Sequence, residues 1–167
     1  DLYREDIYVG YRYFETFAKE KVLYPFGYGL SYTQFEVKTT AAEQTAEALT
    51  LRVTVKNIGK YSGKEVVQAY FSAPQGALGK PARQLCAFEK TRTLAPNEQQ
   101  EICMTIPHAQ LASYDDSGAS GNINCYVLEA GEYRFFVGTD VRSAVQAASF
   151  TIDKTEVISR HEQAAAP

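Results

Sequence analysis

Residues 47–57 of the chain, EALTLRVTVKN, decide its fold class. Apolar side chains occupy every second position of this stretch, and that spacing puts them on one face of a β-strand. These side chains are Leu49, Leu51, Val53 and Val55. The stretch is therefore predicted to form a strand with one apolar face.

Further strand-like runs lie on both sides of this stretch, and turn-forming segments separate them. The runs are FEVKTT (35–40), EVVQAYFSA (65–73), RQLCAFEKTRTL (83–94), EQQEICMTI (98–106), GEYRFFVGTD (131–140) and AASFTID (147–153). The breaks include a Gly/Pro-rich loop at 74–82, a turn at 95–98 and a polar excursion at 107–124. About seven short strands without an intervening amphipathic helix predict a mainly β fold, an antiparallel sandwich of the immunoglobulin or fibronectin type III-like kind.

Composition limits the classes of partner. The chain has 167 residues and is 45% hydrophobic, enough for one core with an appendage. A formal net charge of -3 provides no basic face, so nucleic acid and anionic membranes are poor partners. No apolar run approaches membrane-spanning length. The chain starts at Asp1 without a signal-peptide pattern, and we expect it to be a portion of a longer protein.

The cysteines predict no covalent cross-link. Cys86, Cys103 and Cys125 are odd in number and show no CxxC spacing, which argues against a disulfide framework and a zinc site. Cys86 and Cys103 lie in alternating runs and are predicted to be small buried side chains. Three free thiols and the lack of an Asn-x-Ser/Thr sequon favour a reducing, bacterial-type cytoplasmic setting.

Residues able to perform acid-base chemistry are few and scattered. His108 and His161 are far apart, and no Ser, Asp or Cys pattern near either one indicates a catalytic triad. Glu5 directly precedes the predicted strand 6–14, and Asp6 is its first residue. Adjacent side chains on a strand point to opposite faces. They therefore cannot flank one glycosidic bond, as glycoside hydrolysis requires of its two carboxylates.

A second carboxylate pair, Asp115 and Asp116, begins the Gly/Ser-rich loop DDSGASGNIN (115–124). In such loops an Asp commonly accepts hydrogen bonds from its own backbone. The loop does not place its oxygens at the EF-hand spacing, and the chain has no glycine pattern that cradles phosphate. The sequence therefore predicts no catalytic residue, no metal site and no cofactor.

The stretch YPFGYGLSYTQFEV (24–37) concentrates aromatic rings and glycines directly before a strand. We interpret it as a seam in which rings wedge an upstream domain against the sandwich while glycines allow a tight path. The predicted seam residues are Tyr24, Phe26, Gly27, Tyr28, Gly29 and Tyr32. Alternatively, the rings stack on sugar faces as in a carbohydrate-binding module.

Several motifs in one order resemble glycoside hydrolase family 3, which includes β-glucosidases and β-xylosidases. The segments YREDIYVGYRYFE (3–15) and YPFGYGLSYTQFE (24–36) resemble the end of that family's α/β sandwich domain and the seam that follows it. Residues 49–74, 80–98 and 126–140 are similar to its fibronectin type III-like domain. Ala87 and Asn97 stand where the family usually has Gly.

The resemblance implies three regions: the end of an α/β domain with the seam (1–33), a fibronectin type III-like domain (34–153) and a linker or tail (154–167). The parent would be a retaining, β-glucosidase-like hydrolase, and this region a non-catalytic accessory part that stabilises the catalytic domains and borders the substrate entrance. Its partners would be the remaining domains of the parent and, through them, an oligosaccharide or β-glycoside. The family's catalytic residues match no position here.

Other interpretations stay open at this point. The sandwich could bind glycans by itself, or it could serve protein contacts, including a homo-oligomer. We expect residues 1–33 to pack back onto the sandwich or onto a second copy of the chain. The segment holds many apolar rings, but it is too short to form a core of its own. The tail is predicted to start a short helix at Thr155 and Glu156 and to lead into a barrel of permuted domain order.

Overall fold

A computed structural model describes residues 10–21 and 33–160 of the protein. Helix α1 spans Tyr11–Phe17, and short 3-10 helices cover Lys19–Lys21 and His108–Leu111. Ten strands lie in the described residues: β1 (Phe35–Gln44), β2 (Ala48–Asn57), β3 (Val66–Ser72), β4 (Gln84–Lys90), β5 (Gln99–Pro107), β6 (Ser113–Asp115), β7 (Cys125–Leu128), β8 (Gly131–Gly138), β9 (Val145–Ile152) and β10 (Glu156–Arg160).

Seven of these strands build the predicted antiparallel sandwich. One sheet has the order β1-β2-β5 and the other the order β4-β3-β8-β9. The seven strands coincide with the seven runs expected from the sequence, and the pairings are antiparallel throughout. The mainly β sandwich is therefore confirmed.

The core lies between the two sheets and follows the alternation of the sequence. Leu51, Val53 and Val55 of β2 are fully buried, while Arg52 between them is exposed. On the four-stranded sheet, the ring of Phe135 packs 5.4 Å from that of Phe150, centroid to centroid. A period of two places these side chains on the inner faces, where burial of apolar area stabilises the fold.

The strand count of about seven is wrong, because a third sheet with the order β10-β7-β6 lies at one end of the sandwich. The predicted helix at Thr155 and Glu156 is also wrong, since Glu156–Arg160 forms β10. This strand pairs antiparallel with β7, with an irregularity between Val157 and Ser159. Pairing with a distant strand supplies backbone hydrogen bonds that local sequence does not reveal.

The expected strand at 6–14 is wrong for its described part, because residues 11–17 form α1. No strand of the described sheets pairs with this segment. Its backbone bonds are instead satisfied within the helix, and the side chains of Tyr11 and Thr16 bond the sandwich. Residues 10–21 therefore pack onto the sandwich, as expected for this part of the N-terminal segment.

All three cysteines lie in described strands, and none forms a disulfide. Cys125 is buried and Cys86 is half-buried, with burial raising the pKa of its thiol to about 12. Cys103 is exposed, so its predicted burial is wrong: it occupies an outward position of β5. In the described part of the chain, no helix has the length and apolar character needed to cross a membrane.

Candidate functional site

The residues examined for catalysis do not come together. His108 is buried and lies 4.8 Å from the ring of Phe150, centroid to centroid. Glu5, Asp6 and His161 lie outside the described residues. Within residues 10–21 and 33–160, no group of three His, Cys, Asp or Glu side chains is arranged to hold a metal ion.

The predicted seam residues also lie outside the described part of the chain. They are Tyr24, Phe26, Gly27, Tyr28, Gly29 and Tyr32. Two places where the N-terminal segment meets the sandwich are described: Thr33 at the end of the seam, and α1. These two attachment points, with the groove at the third sheet, form the candidate functional surfaces.

The first attachment point is organised by Asn57, a fully buried residue at the end of β2. Its Nδ2 donates to the carbonyl oxygens of Tyr61 at 2.7 Å and Leu94 at 2.9 Å. Its Oδ1 accepts from Thr33 Oγ1 at 2.9 Å and from the Gly59 amide at 3.0 Å. The amide thus joins Thr33 to two loops of the sandwich and leaves none of these buried groups unpaired.

Close packing around Thr33 explains two glycines that follow Asn57, Gly59 and Gly63. A Cβ atom at Gly63 would lie 2.8 Å from Thr33 Cγ2, and one at Gly59 would collide with Thr33 Oγ1. Only glycine lets the backbone approach this closely. The spacing N-x-G-x-x-x-G from Asn57 to Gly63 therefore reflects the close packing of Thr33 against the backbone.

The second attachment point is polar at its rim. Arg142 Nε donates to Glu15 Oε1 at 2.9 Å, and Arg142 Nη2 donates to the carbonyl oxygen of Lys19 at 2.5 Å. The amide of Leu85 donates to the hydroxyl of Tyr11 at 3.1 Å. The side chain of Glu15 is only 6% exposed, so Arg142 compensates a carboxylate that the docked helix has largely removed from water.

An apolar cluster lies beneath α1 on the outer face of the four-stranded sheet. Tyr70 and Val141 are fully buried there, and Tyr11, Leu85 and Phe136 pack against them. Burial raises the pKa of the Tyr70 phenol well above its ordinary value. The outer face of a sandwich sheet normally faces water, and here the N-terminal segment covers one end of it.

The third candidate surface is a groove between the β3–β4 loop and the start of the third sheet. Its lining includes Leu78, Gln84, Tyr114, Asp116 and Ser117, and its volume is about 410 Å³. The ring of Tyr114 lies 5.1 Å from that of Tyr126, centroid to centroid, and the two residues are 44% and 41% exposed. Both rings are therefore partly accessible to solvent.

One wall of the groove is held by a buried ion pair. Lys80 bonds Glu129, and both side chains are almost fully buried. Lys80 Nζ also donates to the carbonyl oxygen of Pro74 at 3.1 Å, and Glu129 Oε1 accepts from the Ala77 amide at 2.9 Å. The pair thus fixes the loop against β7 and β8. A lysine in a Gly/Pro-rich loop gave no sequence signal for this role.

The other wall is held by Asp115, as expected for an Asp in a Gly/Ser-rich loop. Its carboxylate accepts hydrogen bonds from Ser117, from the amides of Gly118 and Ala119, and from Ser120, at 2.6 to 3.2 Å. The donors of Ser120 contribute most to a lowered pKa, about 2. The prediction of backbone bonding is confirmed for this residue.

Comparison with known proteins relates this chain to a family of enzymes. Residues 65–141 match the model of the fibronectin type III-like domain. A β-glucosidase of Ruminococcus albus is 56% identical over the whole chain, and β-glucosidase A of Butyrivibrio fibrisolvens is 52% identical over 84% of it. The solved structure of a β-glucosidase from Paenibacillus barengoltzii superposes with a TM-score of 0.94 and 49% identity over the whole chain.

The chain is homologous to the fibronectin type III-like region of family 3 β-glucosidases. It spans 18% and 19% of the length of the two curated relatives and 19% of the solved chain. The resemblance to family 3 is confirmed, and the region is the non-catalytic accessory part of such proteins. Asn97, which stands where that family usually has Gly, adopts a φ of 65°, a left-handed conformation that Asn tolerates.

Proposed function

We propose that this region stabilises the catalytic domains of a family 3 glycoside hydrolase and borders its substrate entrance. The parent would hydrolyse terminal β-linked glucose or xylose with retention of configuration. The observation that carries the proposal is the double attachment of the N-terminal segment, through the Asn57 amide at Thr33 and through the Arg142–Glu15 pair at α1. Such buried polar contacts fix the orientation of one element on another.

The test uses the full-length parent expressed from its own gene. The Arg142→Ala variant removes the partner of the largely buried Glu15, so we expect faster thermal inactivation with an unchanged kcat on an aryl β-glucoside at low temperature. Arg52→Ala is the matched control, because Arg52 is exposed and its contact with Glu43 is long, 3.8 Å. Equal inactivation rates for the two variants, or a parent that does not cleave β-glycosides, would contradict the proposal.

A second experiment tests whether this chain has hydrolytic activity without the rest of the parent. The purified 167-residue chain is expected to hydrolyse no aryl β-glycoside, because its described carboxylates do not face each other across a cleft. Turnover that persists after removal of contaminating full-length enzyme would refute this.

We also propose that the boundary after residue 33 separates the seam from the sandwich. We propose a C-terminal boundary later than Asp153, and the pairing of β10 with β7 through Arg160 supports it. Limited proteolysis should therefore spare residues 154–160. Cleavage at Lys154 at a rate typical of an unstructured peptide would argue for the earlier boundary.

A further inference from the structure

We propose that the groove between the β3–β4 loop and the third sheet binds a β-linked gluco-oligosaccharide. Its volume of about 410 Å³ falls in the range of small-molecule sites, roughly 300 to 1,000 Å³. The choice of a gluco-configured ligand rests on the proposed function, whereas the choice of a neutral, hydroxyl-rich ligand rests on the residues of the groove.

The groove is built to keep its shape. The buried Lys80–Glu129 pair fixes one wall, and the Asp115 carboxylate fixes the other through bonds to residues 117–120. Burying an ion pair costs desolvation free energy, and apolar side chains of similar volume would stabilise the fold at least as well. Rigid walls lower the conformational entropy that a ligand would otherwise have to remove on binding.

The polar side chains that line the groove match the hydroxyl groups of a saccharide. In the part of the chain that the structure describes, the side chains of Gln84 and Asp116 make no hydrogen bond, and both residues line the groove. An amide and a carboxylate together supply donors and acceptors for adjacent sugar hydroxyls. The hydroxyl of Ser117 is held by Asp115 and adds a third polar group.

The aromatic side of the groove supplies the apolar contact that a sugar ring needs. Tyr114 lines the groove, and its ring neighbours that of Tyr126 on the face of the third sheet. A tyrosine combines a flat apolar body with a polar tip, which suits a ligand with apolar CH faces and hydroxyl edges. A divalent cation fits less well, since no described group of three metal-ligating side chains exists here.

The test is an NMR titration of the purified 167-residue chain with cellotetraose. We expect saturable chemical-shift changes of the Gly79, Gln84 and Ser117 amides. The Tyr114→Ala and Asp116→Ala variants should each bind cellotetraose about tenfold more weakly, because each removes one set of ligand contacts. Tyr61→Ala is the matched control, because Tyr61 is 66% exposed and does not line the groove. Its affinity should equal that of the original chain.

Absence of shifts at millimolar cellotetraose, or equal affinity in the Tyr114→Ala and Tyr61→Ala variants, would overturn the inference. Amide spectra of each variant show whether it is folded, and Asp116→Asn, which changes charge but little volume, covers the case in which Asp116→Ala does not fold. Failure here leaves the proposed function intact if Arg142→Ala still destabilises the parent. Binding to a chain whose parent cleaves no β-glycoside would instead overturn the proposed function alone.

Discussion

The paired sheets are held together by apolar side chains at alternate positions, whereas the end that carries the groove is held by buried polar groups. In the sheets, Val53 and Phe135 are fully buried, and their side chains make apolar packing contacts. At the groove end, Lys80, Glu129 and Asp115 are buried with charges that need specific partners. The first region tolerates exchange of one apolar residue for another of similar volume, and the second does not.

The largest effect should come from a cavity in the paired sheets. Phe135→Ala removes a ring that packs against Phe71 and Phe150, and it should lower the free energy of unfolding by about 4 kcal/mol. Phe88→Ala is the control, because Phe88 is 67% exposed on the same sheet and its loss should change stability by under about 0.5 kcal/mol. Urea unfolding followed by circular dichroism measures both. Equal losses would mean that apolar burial does not distinguish these positions.

Breaking the buried pair tests the polar half of the comparison. Lys80→Met leaves the Glu129 carboxylate buried without its cation and should lower the free energy of unfolding by about 3 kcal/mol. The double variant Lys80→Met/Glu129→Gln removes both charges while the amide oxygen can still accept from Ala77. It should regain at least half of the loss in the same urea experiment. A double variant no more stable than Lys80→Met would show that packing of the lysine stem, not charge, secures the loop.

These two regions also differ in what the sequence could reveal. Alternation at Leu49, Leu51, Val53 and Val55 predicted β2 and, with its counterparts, all seven strands of the sandwich, because burial on one face imposes a period of two. The three strands of the third sheet, β6, β7 and β10, were missed, since each is short and depends on pairing with the others. The same holds for α1, which is stabilised by contacts with the sandwich and not by a strong local signal.

The attachment points show the same division. Asn57, Gly59 and Gly63 lie in the segment 49–74 that resembles family 3, but the bond from Thr33 to Asn57 joins residues 24 apart. No local pattern reports such a partner. The Lys80–Glu129 pair spans 49 positions and was likewise invisible.

Removing the Asn57 amide should have an intermediate effect. Asn57→Ala removes the side-chain donor to the carbonyl oxygen of Tyr61 and leaves that of Leu94 with the Gly63 amide, which should lower the free energy of unfolding by about 2 kcal/mol. Thr33→Val removes the bond from Thr33 Oγ1 to Asn57 Oδ1 and leaves that oxygen paired with Gly59, so a smaller loss of about 1 kcal/mol is expected. Urea unfolding ranks the two variants. A larger loss for Thr33→Val would show that Thr33, not the Asn57 amide, organises the two loops.

The smallest effect is a local one and depends on pH. Hydrogen bonds, first of all from Ser120, hold the pKa of Asp115 at about 2, below its ordinary value of 3.8. A depressed carboxyl pKa gives stability that is fully present above the unfolded value and is lost as pH falls through the folded value. We therefore expect exchange protection of the Gly118 and Ala119 amides to decline between about pH 4 and pH 2.

The Asp115→Asn variant tests how much of this pH effect comes from Asp115 and how much from the other acidic side chains. The amide cannot gain a proton in this range, and it accepts fewer strong bonds, so the loop should be less protected at pH 5 and should change less on acidification. Glu98, whose pKa is lowered chiefly by the Ala95 amide, lies in a different turn and supplies the comparison. If the variant and the original chain lose protection in parallel from pH 4 to pH 2, the loop melts through global unfolding of the sandwich. The wall of the groove would then not be a separately stabilised unit, and the contrast between the two regions would fail at this point.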